Sequence, residues 1–295
     1  MAGYLGDHFL NQHGPMDVEV FVEAFAGGAG AGLTLLDADV IDELWLVERH
    51  PALAAFWRYA VNDGDELAHR IESTVPTMAH WQHSREVVAA VDRGEVVDDR
   101  ESAFAAFLVN RCSRSGIVAD RAGVLGGRQQ SGRWRITSRY NGPALASRVR
   151  RIAELSHRIR VIETDAIDYL AGLSDSGFGD EVMVFADPPY VSDGPSLYRH
   201  SFTAADHVSL ALTLTTSSVR WMLTYDAHPL VLQLYPGYRI LEYTIRHTAN
   251  VAHNDFEYAV FSDNLAVDPA AIPFAGRHAR WVTHWWASAE REATS

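Results

Sequence analysis

The chain has 295 residues, 47% of them hydrophobic and 21% charged, a balance that excludes a disordered chain and allows one large domain or two modest ones. Its single cysteine, Cys112, excludes an intramolecular disulfide and fits a reducing cytosol. The net charge of −13 argues against a nucleic-acid partner until its distribution is read. There is no lysine, so all 25 basic residues are arginine. Twelve of them fall between Arg111 and Arg160 against only Asp120 and Glu154, a local charge of +10 that leaves −23 on the rest. Such a stretch suits a polyanion-binding face; the alternative is a solvated helix face in a chain biased against lysine. No apolar run reaches the length of a membrane span, residues 24–36 being short and glycine-rich. The start, "MAGYLGDHFLNQHG", lacks the basic and apolar regions of a signal peptide.

The first element, "VEVFVEAFAGG" (18–28), is a β-branched and aromatic run closed by glycines, which predicts a buried strand. "AGLTLLDA" begins a helix, "ELWLVER" (43–49) a second strand, and "PALAAFWRYAV" a helix with Pro51 in its first turn. Strand, glycine turn, helix, strand and acidic end open a doubly wound α/β domain. The character changes over residues 63–110, where "DELAHRIESTV", "TMAHWQHSREVVAAVDRG" and "DRESAFAAFLVNRC" have helical spacing and caps. Residues 123–141, "GVLGGRQQSGRWRITSRYN", are rich in glycine and arginine, and "RWRITSRY" alternates as a strand does. "ALASRVRRIAELSHR" is helical again. The α/β rhythm resumes with "IRVIETDAIDYLAGL", "EVMVFADPPY", "TAADHVSLALTLTTS", "VRWMLTYD" and "HPLVLQLYPG". "YRILEYTIRH" and "EYAVFSD" predict a closing hairpin. The organisation is one α/β domain with a mostly helical, arginine-rich insertion over about 64–150.

Two stretches carry chemistry. In "EAFAGGAGAG" a Gly-x-Gly pattern follows a strand, where glycines let a ligand approach the backbone. Glu48, at the end of the next strand, can hold ribose hydroxyls. A structural turn would look the same. In "ADPPY" the residue before a proline is pushed toward extended backbone, so Asp187 is held straight at a strand's end. Pro188 and Pro189 lack N–H groups but keep their carbonyls. A carboxylate and a carbonyl form an acceptor pair for an exocyclic amine, and Tyr190 adds a flat face. Together they describe a slot for a planar base bearing an amino group; the alternative is a rigid loop with a helix-capping aspartate.

Other candidates lie in and beyond the insertion. Arg128, Gln129, Gln130, Arg133 and Arg135 have the chemistry of base-edge readers, some of them serving phosphates instead. "RVRR" (148–151) suits phosphate or a solvated face. His80 and His83 flank Trp81 with no acidic or cysteine partner, which predicts a helix surface and no metal. Trp281, Trp285 and Trp286 have helical spacing and predict core packing.

"ADPPY" together with "FVEAFAGGAG" resembles the Dam-type (D12 class) adenine-N6 DNA methyltransferases, which use S-adenosylmethionine. "FLVNRCSRSGIV…GVLGGRQQSGRWRITSRYN", "IETDAIDYL", "LYRHSFTAADHVSLA" and "MLTYDAHPLVLQLY" are similar to further segments of that family, in its order, over about residues 18–264. The resemblance implies a Rossmann-like S-adenosylmethionine-dependent methyltransferase sheet with an inserted, mostly helical DNA-recognition subdomain. Residues 1–63 and 151–264 would be catalytic, 64–150 would recognise the target, and 265–295 would be a C-terminal extension. Phe25, Ala26, Gly27, Gly28 and Gly30 would line the cofactor, Glu48 would bind its ribose, and Asp165 its adenine amine, with Ala166 and Ile167 against the ring. Asp187, Pro188, Pro189 and Tyr190 would hold the target adenine, Asp187 also bordering the cofactor. Asn110, Arg111, Arg114, Arg128, Gln129, Gln130, Arg133, Arg135, Arg139 and Asn141 would meet DNA. The expected partners are double-stranded DNA and, in a modification system, a restriction endonuclease, in the cytoplasm of a bacterium or phage-infected host. The alternatives are methylation of RNA adenine-N6 or DNA cytosine-N4, or a catalytically weakened DNA-binding relative. Two positions depart from the family pattern: Glu23-Ala24-Phe25 stands for Glu-Pro-Phe, and Gly6-Asp7 for Gly-Lys.

Overall fold

The computed structural model describes residues 18–114, 123–192, 202–247, 253–267 and 279–282. On the first strand, β1 (Val20–Glu23), Phe21 packs on one side of the sheet while Val20 and Val22 pack on the other, and all are buried. The same division runs through β2 (Glu43–Glu48), β4 (Val182–Ala186) and β5 (Arg220–Asp226). Sheets buried on both faces read as continuous apolar runs, as these strands do. On one face lie Leu35 and Leu36 of α1 (Gly30–Asp37) and Trp57 of α2 (Pro51–Asn62). On the other lie Leu170 and Leu173 of α7 (Ala166–Asp175), Leu210 and Leu214 of α8 (Ala204–Thr216), and Val231 of α9 (Pro229–Leu234).

The sheet has eight strands in the order β3-β2-β1-β4-β5-β7-β6-β8, with β3 spanning Ile159–Glu163, β6 Arg239–His247, β7 Val-containing His253–Phe261 and β8 Ala279–Trp281. The first five are mutually parallel, and β7 runs antiparallel between β5 and β6. This is a Rossmann-like, doubly wound sheet extended by antiparallel strands. The chain winds outward from β1 to β3, then returns to β4 on the other side of β1. That reversal opens a crevice at the carboxyl ends of β1 and β4, the usual ligand edge of such sheets. Glu23 ends β1, and Asp187 follows β4 directly.

Between α2 and β3 lie α3 (Gly64–Ser73), α4 (Met78–Asp92), α5 (Asp99–Cys112) and α6 (Gly142–Glu154). They enclose a core of their own, including Leu67, Ile71, Trp81, Phe104, Phe107 and Cys112, to which α2 contributes Ala55 and Tyr59. Three of these four helices begin on a side-chain cap: Thr77, Asp98 and Asn141 accept from the N–H of His80, Glu101 and Ala144. Helices α3 and α6 cross so closely that a Cβ on Gly64 would stand 2.6 Å from that of Ala153.

Two expected elements differ. "RWRITSRY" forms turns rather than a strand, because only Ile136 and Tyr140 are buried, four positions apart and without the alternation of a strand. Trp281 lies on β8 rather than a helix, opposite Leu241 of β6, with its ring 5.9 Å from that of Phe261. Trp285, Trp286, Gly6 and Asp7 fall outside the described residues.

Candidate active site

The glycine turn is clamped from several sides. Gly27 and Ala29 both take the left-handed conformation, with φ of 45° each. For Ala29 this is strain that the surrounding packing must hold. Glu48 Oε2 accepts the Gly27 N–H at 3.0 Å, its Oε1 accepts from His50 N at 2.8 Å, and Trp57 donates to the Gly27 carbonyl at 3.1 Å. Both oxygens of Glu48 are thus on backbone donors. Phe25, Gly27, Gly28 and Gly30 are at least partly accessible. Ala26, expected to line a ligand, is instead buried in the core, and its N–H bonds the Val47 carbonyl at 2.9 Å.

Glu23 is the residue that sequence reasoning missed here. It is 3% exposed, and its Oε1 accepts from Ala31 N at 3.1 Å and Gly32 N at 2.8 Å, satisfying donors in the first turn of α1. Its Oε2 is buried with no partner among the described residues. Burial lifts this carboxyl to about 8, against the two backbone donors, and the nearby Asp187 adds to the rise. The signal in the sequence was an acid at the end of an otherwise apolar strand.

Asp187 leaves β4 beside Thr224 of β5, because Ala186 pairs with Leu223 in the parallel register. The Thr224 hydroxyl donates to Asp187 Oδ1 at 2.6 Å, which fixes the carboxylate. Solvent reaches Asp187, yet the protein packed around it lifts its carboxyl to about 6. The Thr224 hydrogen bond opposes that rise and the charge of Glu257 reinforces it. Pro188 is buried beneath the loop, and Pro189 and Tyr190 are half-buried. Asp226, at the end of β5, accepts from Val191 N at 2.8 Å and Ser192 N at 2.9 Å. The Tyr190 hydroxyl donates to Glu257 of β7. Thr224, Asp226 and Glu257 were not legible as site residues: each acts through strand register.

At the next strand end, Asp165 caps α7, its Oδ1 accepting from Ile167 N at 2.8 Å, while Oδ2 pairs with Arg49 at 3.1 Å. Asp165 lines a polar cleft of about 570 Å³ with Arg49, Glu163, Ile167, Asp168, Phe202 and Asp206. Four carboxylates and Arg49 line it, Glu163 being paired also with Arg58 and Asp206 held by Thr203. Ala166, expected against a ligand ring, is buried in the core; Ile167 and Phe202 supply the apolar wall. Phe202 extends a run of ring contacts from Phe25, at 5.6 Å, through His207 at 5.2 Å to Tyr225. Gly27, Gly28 and Gly30 border a different, mostly apolar cleft of about 350 Å³ that also includes Trp57, Phe107, Asn110, Arg111 and Arg148.

The arginine-rich insertion is sorted by its hydrogen bonds. Arg111 donates twice to the Arg139 carbonyl, and Arg139 donates to the carbonyls of Ser113 and Arg114, so both serve as internal braces. Gln130 is not a free base-edge reader. Its amide spans its own loop, from the carbonyls of Leu125 and Gly127 to the N–H of Ile136. Asn141 is committed as the cap of α6. Arg150 pairs with Glu72, Arg151 with Asp37 and Glu154, and Arg158 with Asp39, which neutralises part of the +10 stretch. Exposed Arg114, Arg128, Arg133 and Arg135 form no ion pair among the described residues, and Gln129 is exposed beside them. Among them stands Trp134, 60% exposed, with the Arg133 guanidinium 5.3 Å from its ring. His80 and His83 lie on the exposed surface of α4, where His83 reaches Glu101 at 3.3 Å. Among the described residues no helix is long and apolar enough to cross a membrane.

No family model matches the chain. No curated protein matches it. Among solved structures the chain is similar to the rRNA methyltransferase aviRa from Streptomyces viridochromogenes, at 14% identity and a TM-score of 0.39, over 88% of this chain and 81% of that one. A likeness this slight carries no argument about activity, and the fold assignment rests on the strand order itself.

Proposed function

We propose that the protein is an S-adenosylmethionine-dependent methyltransferase of the Dam type, acting on N6 of an adenine flipped out of duplex DNA. The observation that carries this reading is Asp187. It stands at the switch-point crevice of a methyltransferase-type sheet, is followed by two prolines and a tyrosine, and is fixed by Thr224. The donor set suits the cofactor. The acid-lined cleft at Asp165 would take an adenine amine against Ile167, Glu48, whose oxygens also hold the Gly27 and His50 N–H groups, would bind the ribose, and the glycine turn, which borders the neighbouring cleft, would meet the methionine side.

Bound S-adenosylmethionine would supply an electrophilic methyl on its sulfonium. The protein's part is alignment and electrostatics. Asp187, ionised above about pH 6, accepts a hydrogen from the N6 amine, and the Pro188 carbonyl accepts the other. These bonds draw the nitrogen lone pair out of the ring and toward the methyl. Positive charge would develop on N6 as the methyl carbon exchanged its bond to sulfur, which would leave as a neutral thioether, for one to nitrogen, so the Asp187 carboxylate would stabilise the transition state more than the ground state. The proton that N6 releases would pass to Asp187 or to solvent. Tyr190 stacks on the base, which must leave the duplex to enter the slot. The helical insertion, with Trp134 and its exposed arginines, is the DNA-recognition subdomain in this reading.

The test is transfer of a tritiated methyl group to duplex DNA, followed by digestion and identification of the nucleoside. Labelled N6-methyladenine supports the reading; methylcytosine, or label only in RNA, refutes it. Asp187→Ala should abolish transfer while cofactor binding, measured by calorimetry, stays within a few-fold.

A further inference from the structure

We propose that Glu257 is a positioning residue that holds the face of Tyr190 in place, and through it the base in the slot, an inference that rests on the methyltransferase reading above. The reversed strand β7 places Glu257 between two neighbours in register, opposite Asp226 of β5 and Tyr243 of β6. It is 5% exposed. Its two oxygens each take one phenol: Oε1 accepts from Tyr190, and Oε2 from Tyr243 at 2.5 Å. No cation pairs with it among the described residues. An unpaired buried carboxylate is costly, and only charge-assisted hydrogen bonds offset that cost here. A carboxylate is the side chain that can accept from two hydroxyls at once, since a glutamine would turn a donor toward one of them.

The tether gives the Tyr190 ring a second anchor. Its backbone follows two prolines, and the next two N–H groups are held by Asp226. With its hydroxyl tied to Glu257, the ring is fixed at both ends, as a stacking face requires. Glu257 also acts on Asp187 through its charge. Among the described residues the groups set around Asp187 are Thr224 on β5, Glu23 on β1, Glu257 on β7, Tyr243 on β6 and Tyr190 on its own loop, and the negative charge of Glu257 acts to raise Asp187. Removing that charge lowers the pH at which Asp187 becomes an acceptor.

Three variants separate tether from charge. Tyr190→Phe removes the tether alone, Glu257→Asp keeps the charge but shortens the reach, and Glu257→Gln removes the charge. All three should lower kcat about tenfold, with cofactor affinity within twofold. Only Glu257→Gln should move the acidic limb of kcat/KM to lower pH, by half a unit or more. A purely structural role would move neither the limb nor its dependence on charge. Thermal melts identify any variant that has lost its fold, and Tyr190→Phe, which deletes one oxygen, keeps the test decisive. A readout independent of activity is the Tyr190 hydroxyl proton, expected as a downfield NMR signal in the wild type and lost in Tyr190→Phe. Absence of that signal in the wild type, or Glu257→Gln with wild-type kcat and an unmoved limb, overturns the inference. A wild type that shows the tether but labels no nucleoside overturns the methyltransferase reading, and with it the role given to the tether.

Discussion

Substituting Glu23→Gln tests how the crevice is built. The buried Glu23 carboxyl sits at about 8, against its ordinary 4.5, so it is mostly protonated in the folded protein at pH 7. A carboxyl raised in this way binds its proton more tightly when folded. Its contribution to stability is complete below about pH 4.5 and is lost as pH rises through about 8. At about 1.4 kcal/mol per unit, the gap corresponds to a loss on the order of 5 kcal/mol across that window. Asp187, raised to about 6, acts in the same sense but over a lower range. Glutamine keeps the size and an oxygen for the N–H groups of Ala31 and Gly32, and it cannot ionise. Urea unfolding at pH 6, 7.5 and 9 gives the comparison. The wild type should lose stability steadily toward pH 9, and Glu23→Gln should stay nearly flat and be the more stable of the two above pH 8. Identical slopes for the two proteins would refute the view that Glu23 is held neutral by burial.

Arg49→Ala removes the exposed pair on Asp165, a bridge worth about 1 kcal/mol or less, so calorimetry should show adenosine-bearing cofactor binding tightened by at most about fivefold; clearly weaker binding would show that Arg49 assists the ligand instead. Gly64→Ala forces the close crossing of α3 and α6 apart and should cost about 1–3 kcal/mol in urea unfolding, with no change in the order of sheet strands. Trp134→Ala should weaken duplex binding by roughly tenfold, in the range of about 1–3 kcal/mol for a lost base-stacking contact, while cofactor affinity and melting temperature hold; unchanged DNA affinity would remove Trp134 from the interface.

The order of elements and the position of the helical insertion were legible because strand and helix periods are local properties of the chain. The apolar runs of β1, β2, β4 and β5 announce strands covered on both faces. "YRILEYTIRH" and "EYAVFSD" form the expected hairpin, although the nine-residue ladder starts at His253, four residues before the second stretch, and ends at Phe261. Local pattern misled at "RWRITSRY", where the Gln130 brace and the burial of Ile136 and Tyr140 impose turns. Charge counting misled in part, because the partners of Arg150, Arg151 and Arg158 lie far away in sequence.

By itself, the sequence determined a doubly wound α/β chain with an arginine-rich helical insertion and an Asp-Pro-Pro-Tyr exit from a strand. Those features follow from side-chain period and backbone restriction within a few residues. Only the tertiary structure decided what holds that exit. Thr224, Asp226, Glu257 and Glu23 come from three other strands, and parallel and antiparallel register, which no local pattern encodes, sets them beside Asp187 and Tyr190. It also decided which arginines remain exposed, since hydrogen bonding between distant carbonyls and guanidinium groups commits Arg111 and Arg139 to the fold and leaves Arg114, Arg128, Arg133 and Arg135 at the surface.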